Sequence, residues 1–205
     1  SEGFFQTTDE VAAGAQQFGV IKPGDIKYKD QNGDGIINND DNVVFGSTIP
    51  RFTYGSTLNG YYKGFGLNIV LQGVGKADGY LYEQGIMPFF LGGTVQEQHK
   101  DHWTPENTDA AFPRLAFSEA NNEKTSSFWM KNAAYLRLKN IQLSYTLPTK
   151  WTQRAGIKNV RLFANGQNLL TWDKFWDGYD VESPVGTGRS YPQVKMVSFG
   201  IDVSF

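Results

Sequence analysis

Apolar and polar positions alternate with a period of two over residues 197–205. Val197, Phe199, Ile201, Val203 and Phe205 share one face, and Ser198, Gly200, Asp202 and Ser204 the other. Successive side chains of a strand point to opposite sides, so this alternation predicts a strand with one apolar face. The pattern recurs over residues 51–62, where Phe52, Tyr54, Leu58 and Tyr62 alternate with Arg51, Thr53, Thr57 and Asn59. Lys63 and Gly64 predict a tight turn. A return strand follows, with Phe65, Leu67, Ile69 and Leu71 set against Gly66, Asn68 and Gln72. Each arm is close to the 9–11 or so residues that a tilted strand needs to cross a bilayer core.

A third strand is predicted over residues 134–147, with Ile141, Leu143, Tyr145 and Leu147 on one face. Leu136 and Leu138 fall on the opposite parity, which a bulge near Asn140 would correct. Residues 148–156 connect to a strand over 157–170, where Val160, Leu162 and Ala164 alternate with Arg161, Phe163 and Asn165. The connections at 63–64 and 148–156 are short, whereas 75–133 and 171–193 are long, and residues 1–50 precede the first strand. Antiparallel strands put the short links at one end and the long ones at the other. Outer-membrane barrels are sorted this way, with short periplasmic turns and long extracellular loops. Five strands cannot close such a barrel, and open edges are not tolerated in lipid, so further strands are expected beyond this chain. The organisation expected is an extracellular loop region over 1–50 and barrel strands with their loops over 51–205.

Composition sharpens the picture. Aromatics make up 15% of the 205 residues and there are 23 glycines, yet mean hydropathy is −0.43. Tyr and Phe interleaved with Asn, Thr, Ser and Gly suit sheets with one wet face, and barrels with aromatic girdles. The net charge of −2 argues against a nucleic-acid partner, and the absence of cysteine removes disulfides and thiolate metal sites. No apolar run reaches the roughly 18 residues of a membrane-spanning helix. Residues 1–10 lack the basic start and apolar core of a signal peptide, as would an exported piece of a longer precursor.

One segment carries recognisable chemistry. Residues 30–41 fit a twelve-residue calcium loop, with side-chain oxygens at Asp30, Asn32 and Asp34, Gly35 at the sharp turn, the Ile36 carbonyl, Asn38, and Asp41 in the last position. A hard cation needs this many oxygens to replace its hydration shell. Asp41 is shorter than the usual Glu, which predicts a tighter loop and weaker binding. A metal-free turn rich in Asn, Gly and Asp is the competing reading. Flanking helices are not evident, since residues 25–29 alternate like a strand, and this points to a structural rather than signalling role. His99 and His102 stand one helical turn apart with no carboxylates specified around them, and a solvated loop is expected there. Trp172, Trp176 and Tyr179 cluster near the last long loop, where they would stack on a sugar ring or pack the barrel mouth. No nucleophile, phosphate loop or carboxylate pair calls for catalysis.

Several short segments resemble the C-terminal region of SusC/RagA-type TonB-dependent transporters. They are Pro23-Gly24-Asp25-Ile26-Lys27-Tyr28-Lys29-Asp30, running on through Asn32-Gly33-Asp34-Gly35-Ile36, then Pro50-Arg51-Phe52-Thr53-Tyr54-Gly55, Tyr62-Lys63-Gly64-Phe65 and Leu71-Gln72-Gly73. Next come Trp103-Thr104-Pro105-Glu106-Asn107, Pro113-Arg114, Tyr135-Leu136-Arg137-Leu138-Lys139-Asn140, Leu143-Ser144-Tyr145 and Asn165-Gly166-Gln167-Asn168-Leu169. The resemblance implies an all-β chain, the last five strands or so of a barrel of roughly 22 antiparallel transmembrane strands with long extracellular loops. It further implies an outer-membrane importer of glycans or peptides, surrounded by lipid and powered through TonB by way of a plug absent from these residues. A SusD-like surface lipoprotein would be its partner, and the calcium-like loop would lie outside the cell. The alternative reading is a soluble, calcium-stabilised β-sandwich that binds carbohydrate.

Overall fold

Strands form where the alternation is strongest. The computed structural model describes residues 1–117 and 119–205. In chain order the strands are β1 (Phe52–Tyr62), β2 (Phe65–Gly75), β3 (Asp78–Leu81), β4 (Met130–Asn132), β5 (Tyr135–Thr146), β6 (Asn159–Asp173), β7 (Val185–Gly186) and β8 (Met196–Ser204). Five of them make one antiparallel sheet in the order β1-β2-β5-β6-β8, and the short strands make a second, β4-β3-β7. The β1–β2 turn is the expected two-residue one. Lys63 (φ 48°) and Gly64 (φ 89°) are both left-handed, as a hairpin turn that matches strand twist requires.

The bulge expected near Asn140 is present. Val70 pairs with Asn140 but Leu71 with Leu138, so Lys139 is an extra residue on β5. A second extra residue on β6, beside the left-handed Asn168, carries the offset across the next pair. These insertions bring Leu136 and Leu138 back to the face of Ile141 and Leu143.

With the register fixed, the two faces separate in chemistry. One carries the rows Tyr62-Phe65-Tyr145-Leu162-Ile201, Gly60-Leu67-Leu143-Ala164-Phe199, Leu58-Ile69-Ile141-Gly166-Val197, Ser56-Leu71-Leu138-Leu170 and Tyr54-Gly73-Leu136-Trp172. The other carries rows such as Asn59-Asn68-Gln142-Asn165-Ser198 and Thr57-Val70-Asn140-Gln167-Met196. On the apolar face Phe199 is 80% exposed and Leu58 56%, although each has strand neighbours. A water-soluble sheet buries such a face on a second layer, and among the described residues nothing covers it. No described helix is long and apolar enough to cross a membrane.

The buried core lies elsewhere. Trp129, Ile26, Leu81, Ile86, Phe112, Trp103 and Trp176 form it, drawn from residues 1–50, 76–134 and 174–195 at the end of the sheet where the long connections gather. Tyr135 is part of this core and Val74 packs against it, and both belong to the polar face, whereas Trp172 on the apolar face is 52% exposed. The loop body therefore sits on the polar side of the sheet. Residues 25–29, which alternate like a strand, contribute only an isolated bridge between Phe4 and Ile26. Around that bridge Lys27 N–H donates to the Gly3 carbonyl and Glu2 N–H to the Lys27 carbonyl, while side chains take the alternate N–H groups: Asn122 Oδ1 accepts from Ile26 N–H and Gln17 Oε1 from Tyr28 N–H.

Candidate functional site

The loop at residues 30–41 is organised by its own carboxylates. Asp30 accepts from Gly33 N–H at 2.6 Å and from Gly35 N–H at 2.8 Å, one bond to each oxygen. Asn32 Oδ1 accepts from Asp34 N–H, and Asp34 Oδ1 accepts from Ile36 N–H. Asp41 closes the loop by accepting from Gln31 N–H at 2.7 Å and Asn38 N–H at 2.8 Å. The N–H groups of Asn38 and Gln31 hold its carboxyl below the usual range. Gly33 and Gly35 have φ of 78° and 83°, the left-handed backbone that such a turn demands of glycine. Asp41, despite its short arm, thus reaches back across the loop. The donor set is all oxygen and suits a hard cation, but no group of three His, Cys, Asp or Glu side chains gathers at metal-holding distance among the described residues. Asn38 also caps the short 3₁₀ turn Asn39–Asp41, accepting from Asp40 N–H.

The aromatic trio does not form one surface. Trp172 lies in β6, on the apolar face beside Leu136. Trp176 is buried against Phe112 and Trp129, with Lys131 Nζ 4.4 Å from its ring centre. Tyr179 points its hydroxyl to the Gly85 carbonyl and Gln96. Only two of the three face the loop body, and one of those is core. The expectation of a solvated loop at His99 is corrected as well. His99 is 1% exposed, its Nδ1 accepts from Gln96 N–H at 2.9 Å and its Nε2 lies 2.8 Å from the Ile86 carbonyl. The ring is a neutral crosslink in the core, and burial lowers its pKa. Of the two histidines only His99 lies in the short 3₁₀ turn Glu97–Lys100; His102 follows it, with Nδ1 2.9 Å from the His99 carbonyl.

Two charge clusters went unnoticed in the sequence. Asp25 is fully buried, with Arg114 Nε 2.7 Å from Oδ1, Arg114 Nη2 3.0 Å from Oδ2, and hydrogen bonds from Asn122 Nδ2 and Lys22 N–H. Arg114 also meets Glu119 at 2.6 Å. Beside it, Gly24 (φ 88°) sits under the Trp103 ring, where an added Cβ would lie 2.4 Å from Trp103 Cε3. The available signal was the two short motifs, Gly24-Asp25 and Pro113-Arg114, which the fold brings together. On the polar face, Arg137 is 4% exposed because Asp180 and Glu182, each 2.8 Å away, cover it. Burial alone would raise the Asp180 pKa, but the Glu182 N–H, Arg137 and the Gln193 N–H outweigh that and lower it. This network fastens residues 174–195 to the wall of the sheet.

No family model matches the chain. TonB-dependent receptor P26 of Formosa agariphila is 30% identical over 99% of this chain and 22% of its own length. SusC of Bacteroides thetaiotaomicron is 25% identical over 90% of this chain and 18% of its own length. Among solved structures, the RagAB peptide importer in its open-open state superposes with a TM-score of 0.65 at 26% identity, over 87% of this chain and 20% of the matched one. The chain spans about a fifth of the length of these proteins. In sequence and in fold it matches a segment of TonB-dependent receptors of the SusC and RagA type.

Proposed function

We propose that the chain is a C-terminal part of a TonB-dependent outer-membrane importer, about the last five of roughly 22 barrel strands. One observation carries this reading. The register puts every large aliphatic row on one uncovered face, with an aromatic-rich row at each end, Tyr62-Phe65-Tyr145 on one side and Tyr54 with Trp172 on the other. That is the outer surface of a transmembrane barrel with its girdles. The polar face is then the lumen wall, the open edges of β1 and β8 pair with the remaining strands, and the loop body stands at the extracellular mouth. A SusD-like lipoprotein is the partner, and the cargo is a glycan or peptide. TonB acts through the plug of the whole protein. Nothing in the site calls for catalysis.

The test is fractionation of the source cells, followed by detergent extraction and mass spectrometry. Recovery in the outer membrane, within a longer polypeptide and with a lipoprotein, is the expected result. A soluble species that purifies without detergent would overturn it in favour of the carbohydrate-binding sandwich. Within the same reading, Asp30, Asn32, Asp34, the Ile36 carbonyl, Asn38 and Asp41 would hold a structural calcium ion, supplying the oxygens that a hard cation needs. Asp30→Ala with Asp34→Ala should remove one equivalent of bound calcium from the purified protein. Equal metal content in parent and variant would exclude the site.

A further inference from the structure

The end of the sheet where the short connections lie carries charge of one sign. Lys63 stands in the β1–β2 turn, and Lys150, Arg154 and Lys158 in the link between β5 and β6. All four are exposed, and none forms an ion pair among the described residues. Residues 60–66 and 144–160 contain no Asp or Glu, and the nearby Asp202 is taken by Arg161 at 2.6 Å. In the loop body at the opposite end, by contrast, Arg114 and Arg137 are each paired to carboxylates.

The fold draws these cations onto one rim. Thr146 N–H donates to the Gly64 carbonyl at 2.8 Å, which sets the β1–β2 turn beside the β5–β6 link. Within the link, the helical turns Thr149–Thr152 and Gln153–Ala155 place Lys150 and Arg154 four residues apart, on one side. Gly156 (φ 71°) then reverses the chain, and Lys158 N–H donates to the Ser204 carbonyl. Trp151, beside Lys150, is 62% exposed. An indole and ammonium groups left together in the open suit a membrane–water boundary, where the ring lies among headgroups and the cations meet phosphate.

The rim adjoins the apolar face. Lys63 Nζ lies 5.1 Å from the ring centre of Tyr62, which begins the row Tyr62-Phe65-Tyr145-Leu162-Ile201. Against this row lies a groove of about 260 Å³, bounded by Phe65, Leu143, Leu162 and Phe199 with the small Ala164 between them. A hydrocarbon-walled groove that starts at a cationic rim matches a molecule with an anionic head and an apolar tail. An acidic protein segment would satisfy the rim but leave the groove unfilled.

We propose that this rim and groove bind an anionic glycerophospholipid of the periplasmic leaflet. Its phosphate sits among Lys63, Lys150, Arg154 and Lys158, and one acyl chain lies over Ala164. The proposal rests on the lipid-facing orientation of the importer reading and goes beyond it. The test uses the full-length transporter in detergent, mixed with equal amounts of dioleoylphosphatidylglycerol and dioleoylphosphatidylcholine. Lipid retained after gel filtration is counted by native mass spectrometry. The expected result is retention of the anionic lipid over the zwitterionic one by about tenfold or more. The triple variant Lys150→Gln, Arg154→Gln, Lys158→Gln should lose most of that preference, since each cation near a headgroup is worth about fivefold. Ala164→Phe fills the groove and should lower retention with the rim intact. Equal retention of the two lipids, as an acidic periplasmic partner at this rim predicts, would overturn the proposal. So would an unchanged preference in the triple variant or full retention in Ala164→Phe. Folding of parent and variants into phosphatidylcholine vesicles is scored by heat-shifted mobility on gels. A folded parent without lipid preference removes this proposal alone, whereas a parent that stays soluble without detergent removes the importer reading beneath it.

Discussion

The depth of the proposed membrane band can be worked out from the register, and it dictates where a charge hurts most. Tyr54 and Tyr62 bound the apolar face of β1, and Leu58 lies midway between them. Eight steps at about 3.3 Å give about 26 Å along the strand, or about 20 Å across the bilayer at a tilt near 40°. That is close to the apolar band of about 25 Å seen in such barrels. The row Leu58-Ile69-Ile141-Gly166-Val197 is therefore at the midplane, while Ile201 shares its row with Tyr62, Phe65 and Tyr145 at the interface. An arginine at the midplane costs about 2–4 kcal/mol and near the interface about 0–1 kcal/mol. Ile141→Arg in the full-length protein should then lose most of its folded yield in lipid vesicles, and Ile201→Arg little. The assay is the denaturant midpoint of folding, read by heat-shifted mobility on gels. Equal costs at both positions, or full tolerance of Ile141→Arg, would refute the assigned depth and with it the lipid-facing orientation.

Other expectations concern the loop body. Arg114→Met leaves the Asp25 carboxylate buried without its partner, which costs about 3–5 kcal/mol. Hydrogen exchange at Phe5 and Ile26 should accelerate while the strands stay protected, and unchanged protection would contradict the pairing. Gly24→Ala forces a Cβ to within 2.4 Å of the Trp103 ring and should destabilise the body by about 1–3 kcal/mol more than Gly33→Ala, where space is open. Differential proteolysis of the two variants decides it. Burial lowers the His99 pKa, so the folded state prefers the neutral ring. Its stabilising contribution is whole above the unfolded value of about 6.5 and is lost as pH falls through the lower folded value. Loop-body melting measured at pH 7.5 and pH 5 should differ in the parent and differ less in His99→Gln; a parent insensitive to pH in this range would refute the assignment.

What could be read from the chain depended on how local the governing physics was. Strand alternation is local, so the five long strands appear within a few residues of where Phe52, Phe65, Ile141, Leu162 and Phe199 place them, and the break in parity at Leu138 betrayed the bulge. The loop at 30–41 was legible for the same reason, since its hydrogen bonds run between residues no more than about a dozen apart. The loop body was not legible. Its core joins Ile26 to Asn122 and Trp103 to Gln6 across some ninety residues of irregular chain, and no periodicity announces a contact made between loops. Hence Trp176 leaves ligand stacking and loop packing both open in sequence and proves to be packed core in space, and His99 reads as surface and is a crosslink.

The same division explains how one chain serves two solvents. In the importer reading, lipid asks nothing of the sheet's apolar face beyond apolarity, so Leu, Ile, Val and Phe recur there without buried partners of their own. In the same reading the loop body stands in water and must hold a shape, and it concentrates the paired charges Asp25-Arg114 and Arg137-Asp180 and the buried Trp103, Trp129 and Trp176. Arg137 is where the two regimes meet. It belongs to the sheet by register, yet Asp180 and Glu182 bury it, so the last long connection is fixed to the wall by charge rather than by apolar packing alone. A loop held that way lies against the polar face, and its position depends on the pairs that Asp180 and Glu182 make with Arg137.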